Sequence, residues 1–529
     1  MNTLAGIDLG TTYSALAVLN ELGKAEIVPD LNSNRITPSV VYFSNSDSAS
    51  VGVDAKNKLN EDPDNVIQFV KRQMGNPSYR YKAYGKEYSP MEISALILKK
   101  LKEECTQLGE IKDVVITVPA HFNEVERKST MDAGSLAGLN VLGIINEPTA
   151  AAMYYSSLSP ISGNIVVYDL GGGTFDVTII NMSGRKVEVL TSKGDGNLGG
   201  VDFDNEIVKF INNKANEIFG KPLFCDEILE NPYGAYPQEE KRLYAIAMRE
   251  AEKQKKTLSA RESAKIRLTT PLGNLSVDLT RSDFEEMISC YVATTEMLVE
   301  NALEDAHLET SDISKVLLVG GSTRIPMISS SIEKMFGFLP EKAVNVDEAV
   351  ALGAAISAGM KKISIGGIGG VSAAIKTELS KTNLKEVCNK NFGTLAVSYI
   401  ESLGRNDLEN SVILRKNTQI PCECTKEFYT MYDNQQAIEV RVTECEEETR
   451  DKDGVSIIGK FELKLPKNTQ KGSKVQITYA YDANQRLECT VKLPDGQSYQ
   501  STICYDDEGN LVQEEMRRKQ ASLNDFIIE

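Results

Sequence analysis

Ile7-Asp8-Leu9-Gly10-Thr11-Thr12 and Tyr168-Asp169-Leu170-Gly171-Gly172-Gly173-Thr174 are the two stretches that decide how this chain is read. Each is a short apolar run ending in an aspartate that opens a glycine-threonine turn. Glycine lets backbone N–H groups approach phosphate oxygens, and threonine hydroxyls add donors. Two such turns predict two loops closing on one phosphorylated ligand. An aspartate at the mouth of each would repel the phosphates, so a cation has to lie between them.

Bulk composition bounds the rest. At 529 residues the chain exceeds the roughly 250–300 at which single cores stop growing, so at least two domains are expected. Its 41% hydrophobic and 25% charged content is that of an ordinary soluble globular protein. A net charge of -17 and a pI near 4.9 argue against nucleic acid or an anionic membrane as partner, leaving open only a local basic groove. Nine cysteines include no C-x-x-C pair, and Cys422-x-Cys424 lacks a second half at zinc spacing, which reads as free thiols in a reducing compartment. With only His121 and His307 present, most metal clusters and Ser-His-Asp relays drop out; His121 reads as a lone surface or core residue. The first twenty residues lack a basic leader region, Asp8 interrupts them, and no apolar run is long enough to span a bilayer. A soluble, cytoplasmic protein is expected.

Along the chain, strands, turns and helices alternate. Met91 to Cys105 has helical periodicity, Val114 to Val118 is a buried-strand run, and Asn123 caps a helix to Leu139 with acids in its first turn. The strand Ile165 to Asp169, its glycine turn and the return strand Phe175 to Ile180 repeat the N-terminal plan, predicting duplicated α/β subdomains around a cleft. A charged helix spans Gln238 to Leu258, and a third glycine turn follows the run Val316 to Val319. Ile363 to Gly370 is too glycine-rich for a helix or central strand and reads as a flexible connector. From Phe392 to Cys504 short alternating segments, such as Val475-Gln476-Ile477-Thr478-Tyr479, predict an antiparallel β-sandwich.

Asp8, Glu147, Asp169 and Asp176 precede or flank the glycine turns. Four carboxylates beside a triphosphate make electrostatic sense only with Mg²⁺, which takes carboxylates, waters and phosphate oxygens. Neither rival phosphate motif fits: no G-x-x-x-x-G-K-[ST] occurs, and the two threonine-glycine turns lead back into strands, where a dinucleotide fold would open a helix.

Five segments in order, Ile7 to Thr12, Asn146-Glu147-Pro148-Thr149-Ala150-Ala151-Ala152, Asp169 to Asp176, Gly320 to Pro326 and Glu348 to Ala355, resemble the DnaK-type seventy-kilodalton heat-shock chaperones, with the length and Val66 to Gly75 closest to the short HscC-like branch. The resemblance implies an α/β actin-like ATPase domain of duplicated ribonuclease-H-like subdomains over 1–361, an atypical linker over 362–390, a β-sandwich peptide-binding domain over 391–508, and a short helical stub of a truncated lid over 509–529. It implies an ATP-dependent chaperone that hydrolyses ATP to ADP with Mg²⁺, with K⁺ as a further ion. Its partners would be extended hydrophobic peptides of unfolded proteins, a J-domain co-chaperone and a nucleotide-exchange factor.

By the same resemblance, Asp8 and Asp169 hold Mg²⁺ through water, Glu147 orients the attacking water and Lys71 stabilises charge on the γ-phosphate. Gly10, Thr11, Thr12, Gly171, Gly172, Gly173 and Thr174 cradle the phosphates. Glu252, Lys255 and Ser259 match the helix that covers the adenosine from one side, Gly321, Ser322, Arg324 and Asp347 match the other, and Gly200 and Gly320 also belong to the nucleotide site. Without the resemblance, Lys71 and the Glu252 helix read as solvated charged surface. Pro119 and Arg127 match positions that pass strain between domains, or are a loop proline and a surface arginine.

In the sandwich, Phe428, Ile438 and Val440 would line the peptide pocket and Val397 and Met431 the arch over it, against the plain alternative of sandwich core. Three departures stand out. The linker position reads Thr382-Asn383-Leu384-Lys385-Glu386-Val387-Cys388, with few apolar anchors, so coupling of ATP to peptide release is less secure than hydrolysis. Tyr399 to Asn410 lengthens the first sandwich loop, and the helical lid is missing. These departures favour an alternative, an ATP-gated scaffold binding one dedicated partner; a sugar kinase or actin relative is disfavoured by the Asn146 to Ala152 motif and the β-domain.

Overall fold

The computed structural model describes residues 3–104, 111–158, 161–231, 234, 236–342, 345–365, 372–401, 404–503, 509–524 and 526–528. In the first lobe the hairpin Thr3–Asp8/Tyr13–Leu19 is antiparallel, and Ile111–Val118 lies parallel on its other side. In the second lobe the hairpin Ile161–Leu170/Phe175–Gly184 is antiparallel, and Ile313–Val319 runs parallel beside it. The plan is duplicated: Asp8 ends its strand, and Asp169 sits one residue before the end of its own.

The sequence motifs between the lobes are packing motifs as well. The helices Glu147–Leu158 and Ala349–Ser364 share one core with both sheets through Ala150, Ala151, Ala354 and Ala355. A side chain at Gly353 would come within 1.8 Å of the Ala150 carbonyl oxygen, so the helices touch backbone to backbone. Alanine and glycine runs make that approach sterically possible, and a bulkier residue would part the lobes.

The sandwich pairs two four-stranded antiparallel sheets. One runs Arg405–Leu414, Asn391–Ile400, Ala437–Cys445, Ser456–Lys464; the other runs Cys422–Tyr429, Lys474–Tyr481, Leu487–Lys492, Ser498–Thr502. Lys474–Tyr481 alternates between outward and buried positions, as a strand with one core face must. Tyr399 to Asn410 is not a lengthened loop: Tyr399 pairs with Asn406 and Ala396 with Glu409, so the extra residues prolong a β-hairpin.

The stretch read as an open linker is largely folded. Ile363 and Ser364, read as part of the connector, instead end the helix Ala349–Ser364, and residues 366–371 lie outside the described residues. Beyond them the helix Ala373–Leu379 buries Ile375 and Leu379 in the core between the lobes. Asn383–Val387 then adds a parallel strand to Lys186–Asp195 of the ATPase sheet and pairs Glu386 and Val387 with Ile420 and Gln419 of the sandwich. Backbone pairing anchors this strand together with Val387, buried in the core between the lobes, and Leu384 packed against it.

The C-terminal helix Gly509–Asn524 packs on Glu124–Leu136 of the first lobe. Ile527–Ile528 extends the small sheet there by pairing with Ser48 and Ala49. Phe526 is buried against Phe43 and Tyr88. Lys99 Nζ donates to the Leu523 and Phe526 carbonyls at 2.8 and 2.7 Å. The residues read as a lid stub therefore serve the ATPase lobe. No helix among the described residues is long and apolar enough to cross a membrane, and the seven described cysteines are free thiols.

Candidate functional site

The two glycine-threonine turns meet. A Cβ at Gly172 would lie 2.2 Å from Thr12 Oγ1, and one at Gly173 would lie 2.4 Å from Thr11 Cγ2. No residue but glycine permits that contact, so the turns form one continuous wall. Arg72 pins it from behind, donating to the Gly173 carbonyl at 2.7 Å and to Asp202 at 2.5 Å. Sequence reasoning passed over Arg72 because its partners lie 101 and 130 residues away.

In front of the wall lies a cleft of about 420 Å³. It is lined by Asp8, Gly10, Thr11, Thr12, Lys71, Glu147, Asp169, Gly171, Gly172, Thr174 and Gly200, by Glu252, Lys255 and Ser259 on one side, and by Gly320, Gly321, Ser322, Arg324 and Asp347 on the other. Gly173 is the exception among the expected cradle residues: it backs Thr11 and does not line the cavity. Met248, Arg249 and Ile325 are among further lining residues that the motifs did not indicate.

Lys71 and Glu147 are the centre of the chemistry. Lys71 Nζ donates to Glu147 Oε1 at 2.5 Å, with the two residues only 4% and 8% exposed. Lys71 lies on the short turn of helix Val70–Gln73, entered through Phe69 at φ 57°. A bulky side chain in left-handed backbone is strained, and such strain is held at working sites by surrounding packing. The Phe122 ring lies 5.8 Å from the ammonium.

The acids show what the cleft lacks in charge. Burial, and then the Glu147 charge, pushes Asp8 up to about 7 despite Lys71 and a 3.0 Å hydrogen bond from Thr117. Burial, Glu147, Asp176 and Asp8 push Asp169 well above the usual carboxylate range, and burial raises Glu147 against the pull of Lys71. A cation between Asp8 and Asp169 would reverse those shifts. Among the described residues no three His, Cys, Asp or Glu side chains converge as direct metal ligands. Two carboxylates beside phosphate donors fit Mg²⁺, which keeps most of its waters; bound there, it would neutralise phosphate charge.

Facing these, Glu252 is held down at about 2: burial opposes ionisation, but Lys56 and Lys256 prevail. It accepts from Lys56 at 2.6 Å and Tyr13 at 3.0 Å, closing the mouth between lobes. Lys255 donates to the Gly200 carbonyl and Asp204, Ser322 to the Gly171 carbonyl, Ser259 to the Lys255 carbonyl, and Arg324 to Asp347. Glu252, Lys255, Ser259, Ser322, Arg324 and Asp347 thus sit in a bonded frame.

His121 is not the lone residue its isolation in the sequence suggested. Its Nδ1 lies 2.9 Å from Asp176 Oδ1, which also accepts the His121 N–H at 3.2 Å. Burial lowers the imidazole's proton affinity, but Asp176 outweighs it and holds the value above the ordinary one. Arg127, buried, donates to the Phe122 and Ala120 carbonyls and to Asn146, and also to Gln485 of the sandwich. It is an interdomain residue and not a surface arginine.

In the sandwich, Val397 and Met431 are 44% and 41% exposed, and Phe428 and Ile438 are half-buried at the edge of the core. Val440 departs from the expected pocket lining: it is 2% exposed, packed in the sandwich core.

Duplicated lobes, facing glycine turns, paired aspartates and a buried Lys-Glu pair define an actin-like ATPase domain, here followed by a β-sandwich domain. A family model described as Hsp70 protein matches residues 4–526, and the chain belongs to the Hsp70 family. Membership brings ATP and ADP binding with Mg²⁺, ATPase activity and, in general terms, ATP-dependent chaperone function with peptides and co-chaperones as partners.

Proposed function

We propose that this chain hydrolyses ATP in the cleft between its lobes and uses the cycle to control binding of extended apolar segments at the sandwich. The observation that carries the reading is the Lys71-Glu147 pair, buried directly before the wall of glycine turns. Lys71 offers positive charge where the γ-phosphate's charge grows, and Glu147 offers an acceptor that orients water for in-line attack. Thr11, Thr12 and Thr174 supply hydroxyl donors, and Asp8 and Asp169 would hold the hydrated cation. A J-domain partner and an exchange factor belong to the same proposal.

Coupling between the two ends rests on the strand Asn383–Val387, which is hydrogen-bonded to both domains. Separation of the sandwich must break its pairing with Gln419 and Ile420, so a nucleotide that prefers one arrangement shifts the other. Peptide would lie across the surface bearing Val397, Phe428, Met431 and Ile438. A second reading, a dedicated scaffold, is favoured by the prolonged Asn391–Ile400/Arg405–Leu414 hairpin beside that surface and by the C-terminal helix lying on the ATPase lobe.

Release of apolar peptides from the full chain, measured with and without ATP, tests the proposal. Acceleration by ATP, with loss of binding in Ile438→Asp and retained ATP turnover, is expected. Binding of no unrelated peptide would favour the scaffold, and release indifferent to ATP would sink the coupling.

A further inference from the structure

The contact between the ATPase domain and the sandwich buries acids that hydrolysis does not use. Glu124 opens the helix Glu124–Leu136, and Glu444 lies on the sandwich strand Ala437–Cys445. Both are buried, at 8% and 5% exposure. Glu444 Oε1 accepts the Glu124 backbone N–H at 3.3 Å, and the Tyr481 hydroxyl donates to Glu124 Oε1 at 2.6 Å. The facing cations are committed elsewhere. Arg127 gives its hydrogen bonds to carbonyls, Asn146 and Gln485, and Lys390 is paired with Glu446. Asp482 also faces Glu124 and is itself paired with Arg486. Cys388 is buried nearby and bonds to the Lys390 carbonyl.

We propose that Glu124 and Glu444 form a proton-binding site that exists only when the two domains are docked, so that docking takes up a proton and weakens as pH rises. Burying two carboxylates together without an ion-pair partner is costly, and taking up a proton is the route that removes the charge. Separation would return both to water, where each is an ordinary carboxylate.

The electrostatics agree in sign. Burial pushes Glu124 up to about 7, against Arg127 and Tyr481. Burial and then the Glu124 charge push Glu444 up to about 8, against Lys390, the Glu124 N–H and Arg127. The opposing groups, with the helix N-terminus that favours an anion, leave both values near neutrality. The docked form therefore binds more protons than the separated form from the ordinary carboxylate range up to about 8. Its advantage is complete at the low end and is lost as pH climbs through the docked values. Each linked proton weakens docking by up to about tenfold per pH unit. Glu386 is buried at the same contact, but it accepts from Gln485 and has Lys361 opposite; it would add a smaller effect of the same sign.

Small-angle X-ray scattering of the full chain at one fixed nucleotide condition, from about pH 6 to about pH 8.5, reads the docked fraction from particle size. A compact particle at the acid end that gives way to an extended one at the alkaline end is expected. Glu444→Gln and Glu124→Gln keep the hydrogen-bonding shape without the charge, and each should stay compact to higher pH. A wild-type profile that does not change with pH would overturn the proposal, as would glutamine variants that open at the wild-type pH. Peptide affinity plays no part in the readout, so a failed chaperone reading would leave this result standing.

Discussion

Lys71→Ala would leave Glu147 buried without its hydrogen-bonded cation. Removing one partner of a buried pair costs about 3–5 kcal/mol when the other stays charged. Here the carboxylate has an escape, because it can take up a proton. Starting from an ordinary value near 4.3, that costs about 3.7 kcal/mol at pH 7, and less for a group that burial already raises. The expected loss of stability is therefore about 3 kcal/mol at neutral pH, and it shrinks as pH falls toward the ordinary carboxylate range. On the chemical side, removing a preorganised donor from developing charge costs about 10²–10³ in turnover. Denaturant unfolding at two pH values reads the first number, and single-turnover ATP hydrolysis reads the second. Nucleotide affinity, measured by calorimetry, should change little, since the wall of glycine turns and the Glu252 side of the cleft are untouched. Glu147→Gln is the companion: it should slow hydrolysis comparably with a smaller stability loss, because Asp8 and Asp169 still face the Lys71 ammonium. Turnover by Lys71→Ala within an order of magnitude of the wild type would refute the assignment of this pair.

Two other substitutions probe the scaffold. Gly172→Ala places a methyl group 2.2 Å from Thr12 Oγ1, so one turn must move, and ATP affinity should fall at least about tenfold, or about 1.4 kcal/mol, by calorimetry; an unchanged affinity would contradict the facing turns. Phe526→Ala empties the site between Phe43 and Tyr88 and should cost about 3 kcal/mol in unfolding experiments, whereas an unaltered midpoint would mean that the C-terminal segment does not dock on the lobe.

What could be read directly was local. Asp8 and Asp169 with their glycine turns are contiguous in the chain, and the need for close phosphate approach is written in residue type. The alternation in Lys474–Tyr481 likewise states a one-faced strand without reference to anything distant. Lys71, Glu147 and the adenosine-side residues needed the family resemblance, because a lysine on a short turn has no local signature of function.

The amino-acid sequence by itself determined the duplicated ATPase plan, the phosphate turns, the sandwich and the family, because each depends on residue type at fixed short spacing. Tertiary structure alone decided which groups meet: Arg72 on the Gly173 carbonyl, His121 on Asp176, Asn383–Val387 between two sheets, and Phe526 in the first lobe. These contacts close over tens to hundreds of residues, and several are made by backbone, which carries no side-chain code. The same holds for Glu124 and Glu444, two unremarkable surface-type residues until domain docking takes both out of water.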